Sequence, residues 1–229
     1  MFEPSTARPR PRHPLLALWA WLRHLFLGLL AALALTSGSA AAPPTLLLFG
    51  DSLMAGYGLS PAQGFAAQLE RALAAAGTPV RIVNASVSGD TTRAGLARLD
   101  WSLAERPDAV LLELGANDML RGLPVAEARA NLTAMLDRFA AEEIPVLLAG
   151  MKANRSLGAD YVEAFDGLYP ALAERYGARF YPFFLEGVAL DPAFNQADLQ
   201  HPNAAGVARI VAGILPHVQA LLQEVAPRG

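Results

Sequence analysis

Thr45-Leu46-Leu47-Leu48-Phe49-Gly50-Asp51-Ser52-Leu53 sets the reading of this chain: an apolar run breaks at a glycine and hands over to an acid and a serine. A short run that is apolar on both faces suits a strand of a parallel sheet covered on both sides. The pattern returns at Arg81-Ile82-Val83-Asn84-Ala85, at Ala109-Val110-Leu111-Leu112-Glu113-Leu114 and at Pro145-Val146-Leu147-Leu148-Ala149, and a shorter strand is expected near Arg179 to Tyr181. Between them lie helical stretches: Gly64 to Ala76, ending at Gly77; Thr91 to Glu105, stopped by Pro107; Pro124 to Glu143; and Gly158 to Tyr176, closing at Gly177. A last helix is expected from Pro202 to Leu222, kinked at Pro216. These glycines and prolines stand where helix ends favour them. Strands alternating with helices of this length predict right-handed crossovers and a doubly wound α/β sheet.

In such sheets ligands bind beyond the carboxyl ends of the strands, where the strand order reverses. Three polar segments follow strands and therefore point to that rim: Gly50-Asp51-Ser52-Leu53, Ser88-Gly89-Asp90 and Gly115-Ala116-Asn117-Asp118. A fourth, Asp198-Leu199-Gln200-His201, is expected to open the final helix. The aperiodic stretch Pro182 to Gln200 can wrap over the rim and deliver His201 there.

Together these segments supply what serine-dependent acyl transfer needs. Ser52 taken alone reads first as a helix cap; what changes this is a base, which a serine hydroxyl requires to act as a nucleophile at neutral pH. His201 offers one. Asp198 is three residues away, so one turn places its carboxylate on one ring nitrogen and leaves the other for Ser52. Gly89, whose backbone N–H no side chain shields, and Asn117, a side-chain amide, are candidate donors to an oxyanion beside Ser52. Gly89 also reads as a tight turn and Asn117 as a turn residue. Asp118 and Asp51 are read as structural, and Glu113 as a buried acid with a local partner. His217, beside Pro216 late in a helix, is assigned a structural role. Met54, Leu120, Leu123 and Phe183 are candidates to line an acyl groove, with ordinary packing as the alternative.

The N-terminus has a different character. Arg8, Arg10, Arg12 and Arg23 stand against Glu3 alone, and the apolar run Leu25 to Leu35 and the small residues Ser37 to Ala42 follow. This is the order of a secretory signal peptide, expected over residues 1–42, with a hydrolase domain over 43–229. Pro43 makes cleavage after Ala40 or Ala41 preferable to cleavage after Ala42. The rival is an uncleaved anchor spanning Leu15 to Leu35, which must bury Arg23 at roughly 2.5–3.5 kcal/mol. The expected location is the periplasm or the exterior, or the membrane surface if the leader is retained.

Of the 18 basic and 21 acidic residues, four and one lie in that leader, leaving 14 against 20 and a formal charge of −6. An acidic domain makes a poor nucleic-acid partner. The chain contains no cysteine, which excludes disulfides and thiolate metal sites. Two histidines remain outside the leader, too few to favour zinc. No Gly-x-Ser-x-Gly elbow, Gly-x-Gly-x-x-Gly loop or Walker loop occurs, so neither the α/β-hydrolase turn nor a nucleotide cofactor is expected. No cofactor, metal or stable protein partner is implied; the expected partner is a small-molecule acyl ester or thioester.

Gly50-Asp51-Ser52-Leu53, Gly89, Asn117 and Asp198-x-x-His201 resemble, in order, the four signature blocks of the SGNH (GDSL) hydrolases. The longer strings Gly50 to Leu59, Asn84 to Thr92 and His201-Pro202-Asn203 are similar to the exported bacterial arylesterase and thioesterase I (lysophospholipase) branch, and the similarity covers nearly all of residues 45–222. The resemblance implies a three-layer α/β/α flavodoxin-like fold with a mostly parallel five-stranded sheet, no metal, and hydrolysis of esters, thioesters or lysophospholipids. It also implies Ser52 as nucleophile, Ser52, Gly89 and Asn117 as oxyanion hole, and His201 with Asp198 as base. Lys152-Ala153-Asn154-Arg155-Ser156 departs from the Pro-Pro-Asn-like string common in this branch, which leaves acyl-length preference open. The alternatives are a carbohydrate acetyl esterase of the same fold and a catalytically silent envelope-binding domain.

Overall fold

The computed structural model describes residues 42–225. The leader expected over residues 1–42 thus lies, but for its last residue, outside the described residues.

Five strands form one sheet: β1 (Thr45–Phe49), β2 (Arg81–Asn84), β3 (Ala109–Leu112), β4 (Val146–Ala149) and β5 (Arg179–Tyr181). All neighbouring strands are parallel, in the order β2-β1-β3-β4-β5. The flavodoxin-like expectation therefore holds, and every pairing is parallel. β1, β3 and β4 are buried throughout, which is why they are apolar on both faces, whereas β2 and β5 keep exposed or half-buried positions at the edges. Leu47 and Leu111 are fully buried; truncating either to alanine costs about 2–5 kcal/mol through lost transfer energy and the cavity left behind.

Helices cover both faces. The helix after β1 is only one turn, α1 (Ser52–Ala55), followed by α2 (Phe65–Ala75). The next connection holds α3 (Thr92–Ala97) and α4 (Leu99–Leu103), and β3 leads into α5 (Ala116–Leu120) and α6 (Val125–Ala141). Then come α7 (Ala159–Asp166), α8 (Leu168–Tyr176) and α9 (Ala204–Leu222). α2 and α9 pack together on one face, and α3, α6 and α8 on the other.

Three helix expectations need correction. The single helix expected from Thr91 to Glu105 breaks at Arg98, whose backbone (φ −109°, ψ 6°) leaves helical values where its side chain reaches back across the rim. The stretch from Gly158 to Tyr176 divides at Gly167, a poor helix former. The final helix begins at Ala204, capped by Asn203 Oδ1 accepting from the N–H groups of Ala205 and Gly206, and continues through Pro216. Pro202 instead pairs with Asn195 in an antiparallel bridge. Asp198 to His201 therefore sit on the loop before the helix, because the side-chain cap belongs to Asn203.

Candidate active site

The order reverses between β1 and β3, and Ser52, Gly89 and Asn117 follow β1, β2 and β3 at that place. Asp51 caps α1, its Oδ1 accepting from Leu53 N–H at 3.0 Å, and Ser52 is the first residue of the turn. His201 arrives from the long loop: its Nε2 lies 3.0 Å from Ser52 Oγ, and its Nδ1 lies 2.7 Å from Asp198 Oδ2. The structure thus brings the Ser52 alcohol to an imidazole and carboxylate that lie far from it in sequence.

The loop is built to aim the ring. Asp198 Oδ1 accepts from the N–H groups of Gln200 and His201 at 2.9 and 3.0 Å, which closes a tight turn over Leu199. Leu199 sits at φ 58°, a left-handed conformation uncommon for a leucine, and its side chain is exposed. Those donations, led by the His201 backbone N–H and then its ring, lower the Asp198 pKa to about 2. The carboxylate stays ionised across the working range and holds Nδ1–H, leaving Nε2 free to take the Ser52 proton.

Asn117 joins the other two loops. Its Nδ2 donates to Asp51 Oδ2 at 3.1 Å and to the Asp90 carbonyl at 3.0 Å, so it is tied to the neighbours of both Ser52 and Gly89. Both bonds run within the rim, one to each neighbouring loop. Gly89 sits at φ +86°, where a side chain would strain the backbone, which satisfies the turn reading and leaves its N–H unshielded.

Several residues that shape the site escaped the sequence reading. Arg98 donates to Asp90 Oδ2 at 2.6 Å, to Gly50 O at 3.1 Å and to Ala85 O, and lies 4.1 Å over the Phe49 ring. It clamps the Gly89 loop to the Ser52 loop. Nothing in the helical pattern marked this arginine, since the contact runs backward across the rim. Arg121 donates to Gly89 O at 2.8 Å. Tyr57 packs against His201 with ring centroids 4.5 Å apart and the rings tilted by 37°, an exposed wall beside the imidazole; its place five residues after Ser52 was the available hint.

The remaining assignments are distributed as follows. Asp118 is buried and accepts from Thr92 N–H and Oγ1 at 2.8 and 2.6 Å. His217 packs edge-on against Tyr181. Of the groove candidates, Leu120 is exposed, Leu123 and Phe183 are half-buried, and Met54 is wholly buried. Met54 instead lines a cavity of about 380 Å³ with Leu59, Phe65 and Ile82. Among the described residues no three acidic or histidine side chains cluster as metal ligands.

Residues 48–209 match the model of the GDSL-like lipase/acylhydrolase family. The chain belongs to that family. This GDSL hydrolase is 43 % identical over 199 residues to Esterase TesA of Pseudomonas aeruginosa, covering 86 % of this chain and 98 % of the relative. It is 40 % identical over 172 residues to Thioesterase 1/protease 1/lysophospholipase L1 of Escherichia coli K12, covering 75 % and 81 %. Among solved structures it is similar to AlinE4, described as an SGNH-hydrolase family esterase, at 48 % identity and a TM-score of 0.68, covering 80 % of this chain and 98 % of that one.

Proposed function

We propose that this GDSL hydrolase cleaves small-molecule carboxylic esters, and thioesters or lysophospholipids of similar acyl chemistry, through an acyl-Ser52 intermediate. The observation that carries this reading is the chain of contacts Ser52 Oγ to His201 Nε2 at 3.0 Å and His201 Nδ1 to Asp198 Oδ2 at 2.7 Å. Ser52 Oγ attacks the carbonyl carbon while His201 Nε2 takes its proton, and Asp198 stabilises the imidazolium. Backbone N–H groups of Ser52 and Gly89 and the Asn117 amide receive the negative charge that develops on the carbonyl oxygen. His201 then gives its proton to the departing alcohol or thiol. Water, deprotonated by the same imidazole, releases the acid and restores Ser52.

The names of the relatives support the acyl class: one is an esterase, another a thioesterase and lysophospholipase. Export follows from residues 1–42 in this reading, and N-terminal sequencing of the protein recovered from the cell envelope tests it, with a start at Ala41 or Ala42 expected. For the chemistry, the test is hydrolysis of p-nitrophenyl esters by the purified protein. Ser52→Ala is expected to lower kcat by at least ~10⁴-fold. Undiminished turnover in that variant refutes the assignment.

A further inference from the structure

Beneath the nucleophile lies a second acid that the reaction scheme leaves unused. Glu113 directly follows β3, its N–H donating to Phe49 O at 3.0 Å, and its side chain turns under the β1–α1 junction. Glu113 and Asp51 are both 0 % exposed. Asp51 N–H donates to Glu113 Oε2 at 3.4 Å, and Glu113 Oε1 is buried with no hydrogen-bond partner. A β-carbon on Gly50 would stand 2.5 Å from Met54 Cε, 2.7 Å from the Glu113 carbonyl and 2.8 Å from Oε2. The glycine of the Gly50-Asp51-Ser52-Leu53 block thus makes room for Met54 and for this carboxyl.

Two ionised carboxylates in one dry space repel strongly, so one must keep a proton. Asp51 has donors for its charge, namely Leu53 N–H and the Asn117 amide. Glu113 has one long backbone contact. We propose that Glu113 is a positioning residue, a neutral carboxylic acid buried against the Asp51 backbone and carboxylate, and that through Asp51 it holds Asn117 and the Ser52 turn in working register.

Electrostatics agree with the geometry. Burial, then the Asp51 charge, push the Glu113 pKa well above the carboxylate range. Burial raises Asp51 to about 6 against its hydrogen bonds from Leu53 and Asn117. The other titratable and charged groups around the pair are His201 and Asp90 beside Asp51, Tyr169 on α8 bonded to Leu114 O, Asp118 on α5 and Arg98 at Gly50 O. As pH rises, the Glu113 proton is lost, the pair repels, and the Asn117 donor is displaced.

The kinetic arm rests on the serine-hydrolase reading, so infrared spectroscopy supplies an arm that does not. At neutral pH the full-length protein is expected to show a carboxylic-acid C=O band that disappears in Glu113→Gln. Glutamine keeps the shape and the acceptor for Asp51 N–H but cannot ionise. The variant is therefore expected to keep ester hydrolysis within ~3-fold of wild type and to lose the alkaline fall in kcat. Glu113→Leu, which removes the polar group beside Asp51, is expected to lower kcat by at least ~10-fold with KM little changed; if it fails to fold, Glu113→Gln decides alone. Wild-type hydrolysis without the infrared difference, or with an alkaline limb that survives in Glu113→Gln, overturns the proposal. Absent hydrolysis in wild type with the band present contradicts the enzymatic reading and leaves the acid pair standing.

Discussion

Two aspartates serve the same rim, and their environments drive them in opposite directions. Asp198 stands on an exposed loop where backbone N–H groups and the His201 ring donate to it, and its pKa falls to about 2. Asp51 is buried at the end of β1 against another acid, and its pKa climbs to about 6. One carboxylate is a permanent charge and the other belongs to a proton-holding pair. The contrast shows that burial and hydrogen-bond supply, not residue type, decide what a carboxylate can do.

The comparison breaks most sharply at Asp198. Asp198→Asn keeps the shape of the turn but presents the wrong partner to Nδ1, so kcat is expected to fall by about 10⁴-fold with little change in Tm. Steady-state ester hydrolysis with a parallel thermal melt checks both parts. Asn117→Ala touches the buried side: removing this proposed oxyanion donor is expected to cost about 10²–10³ in kcat. It also leaves Asp51 Oδ2 and Asp90 O short of a donor, so its Tm should drop where that of Asp198→Asn does not. Arg98→Met, which unpairs the half-buried Asp90 and frees the Gly89 loop, is expected to destabilise by about 3 kcal/mol in urea denaturation.

The smallest effect is a pair of pH windows in stability. Asp51, raised from 3.8 to about 6, binds a proton on folding; its contribution is complete below 3.8 and is lost as pH rises through about 6. Asp198, lowered from 3.8 to about 2, has the opposite sign: its contribution is present above 3.8 and lost as pH falls through about 2. Denaturation as a function of pH should show Asp51→Asn flattening the first window and Asp198→Asn the second, the latter weakly because Asp198 is solvent-screened.

How much of this was readable in residue order follows from how local each feature is. β1, β3 and β4 are apolar on both faces because both faces are covered, so the sheet and its rim could be read directly. Ser52, Gly89 and Asn117 could be placed at the rim because each lies in the segment that leaves a strand. The Asp198 to His201 spacing was legible, but its mount was not, since Asn203 caps the helix and Leu199 adopts φ 58° for a turn that no helical pattern signals. Arg98 and the partner of Glu113 were hidden for a different reason. Asp51 and Glu113 are 62 residues apart, and they meet because β1 and β3 are neighbours, which depends on strand order.

Acyl transfer as proposed requires Ser52 to be the group that carries the acyl chain, and covalent labelling tests this directly. Treat the full-length protein with a fluorophosphonate and map the adduct by peptide mass spectrometry. A single phosphonyl group on Ser52, lost in Ser52→Ala and strongly slowed in His201→Ala, is the predicted result. Labelling at another residue, or a Ser52 that stays unmodified in an esterase-active sample, would contradict it.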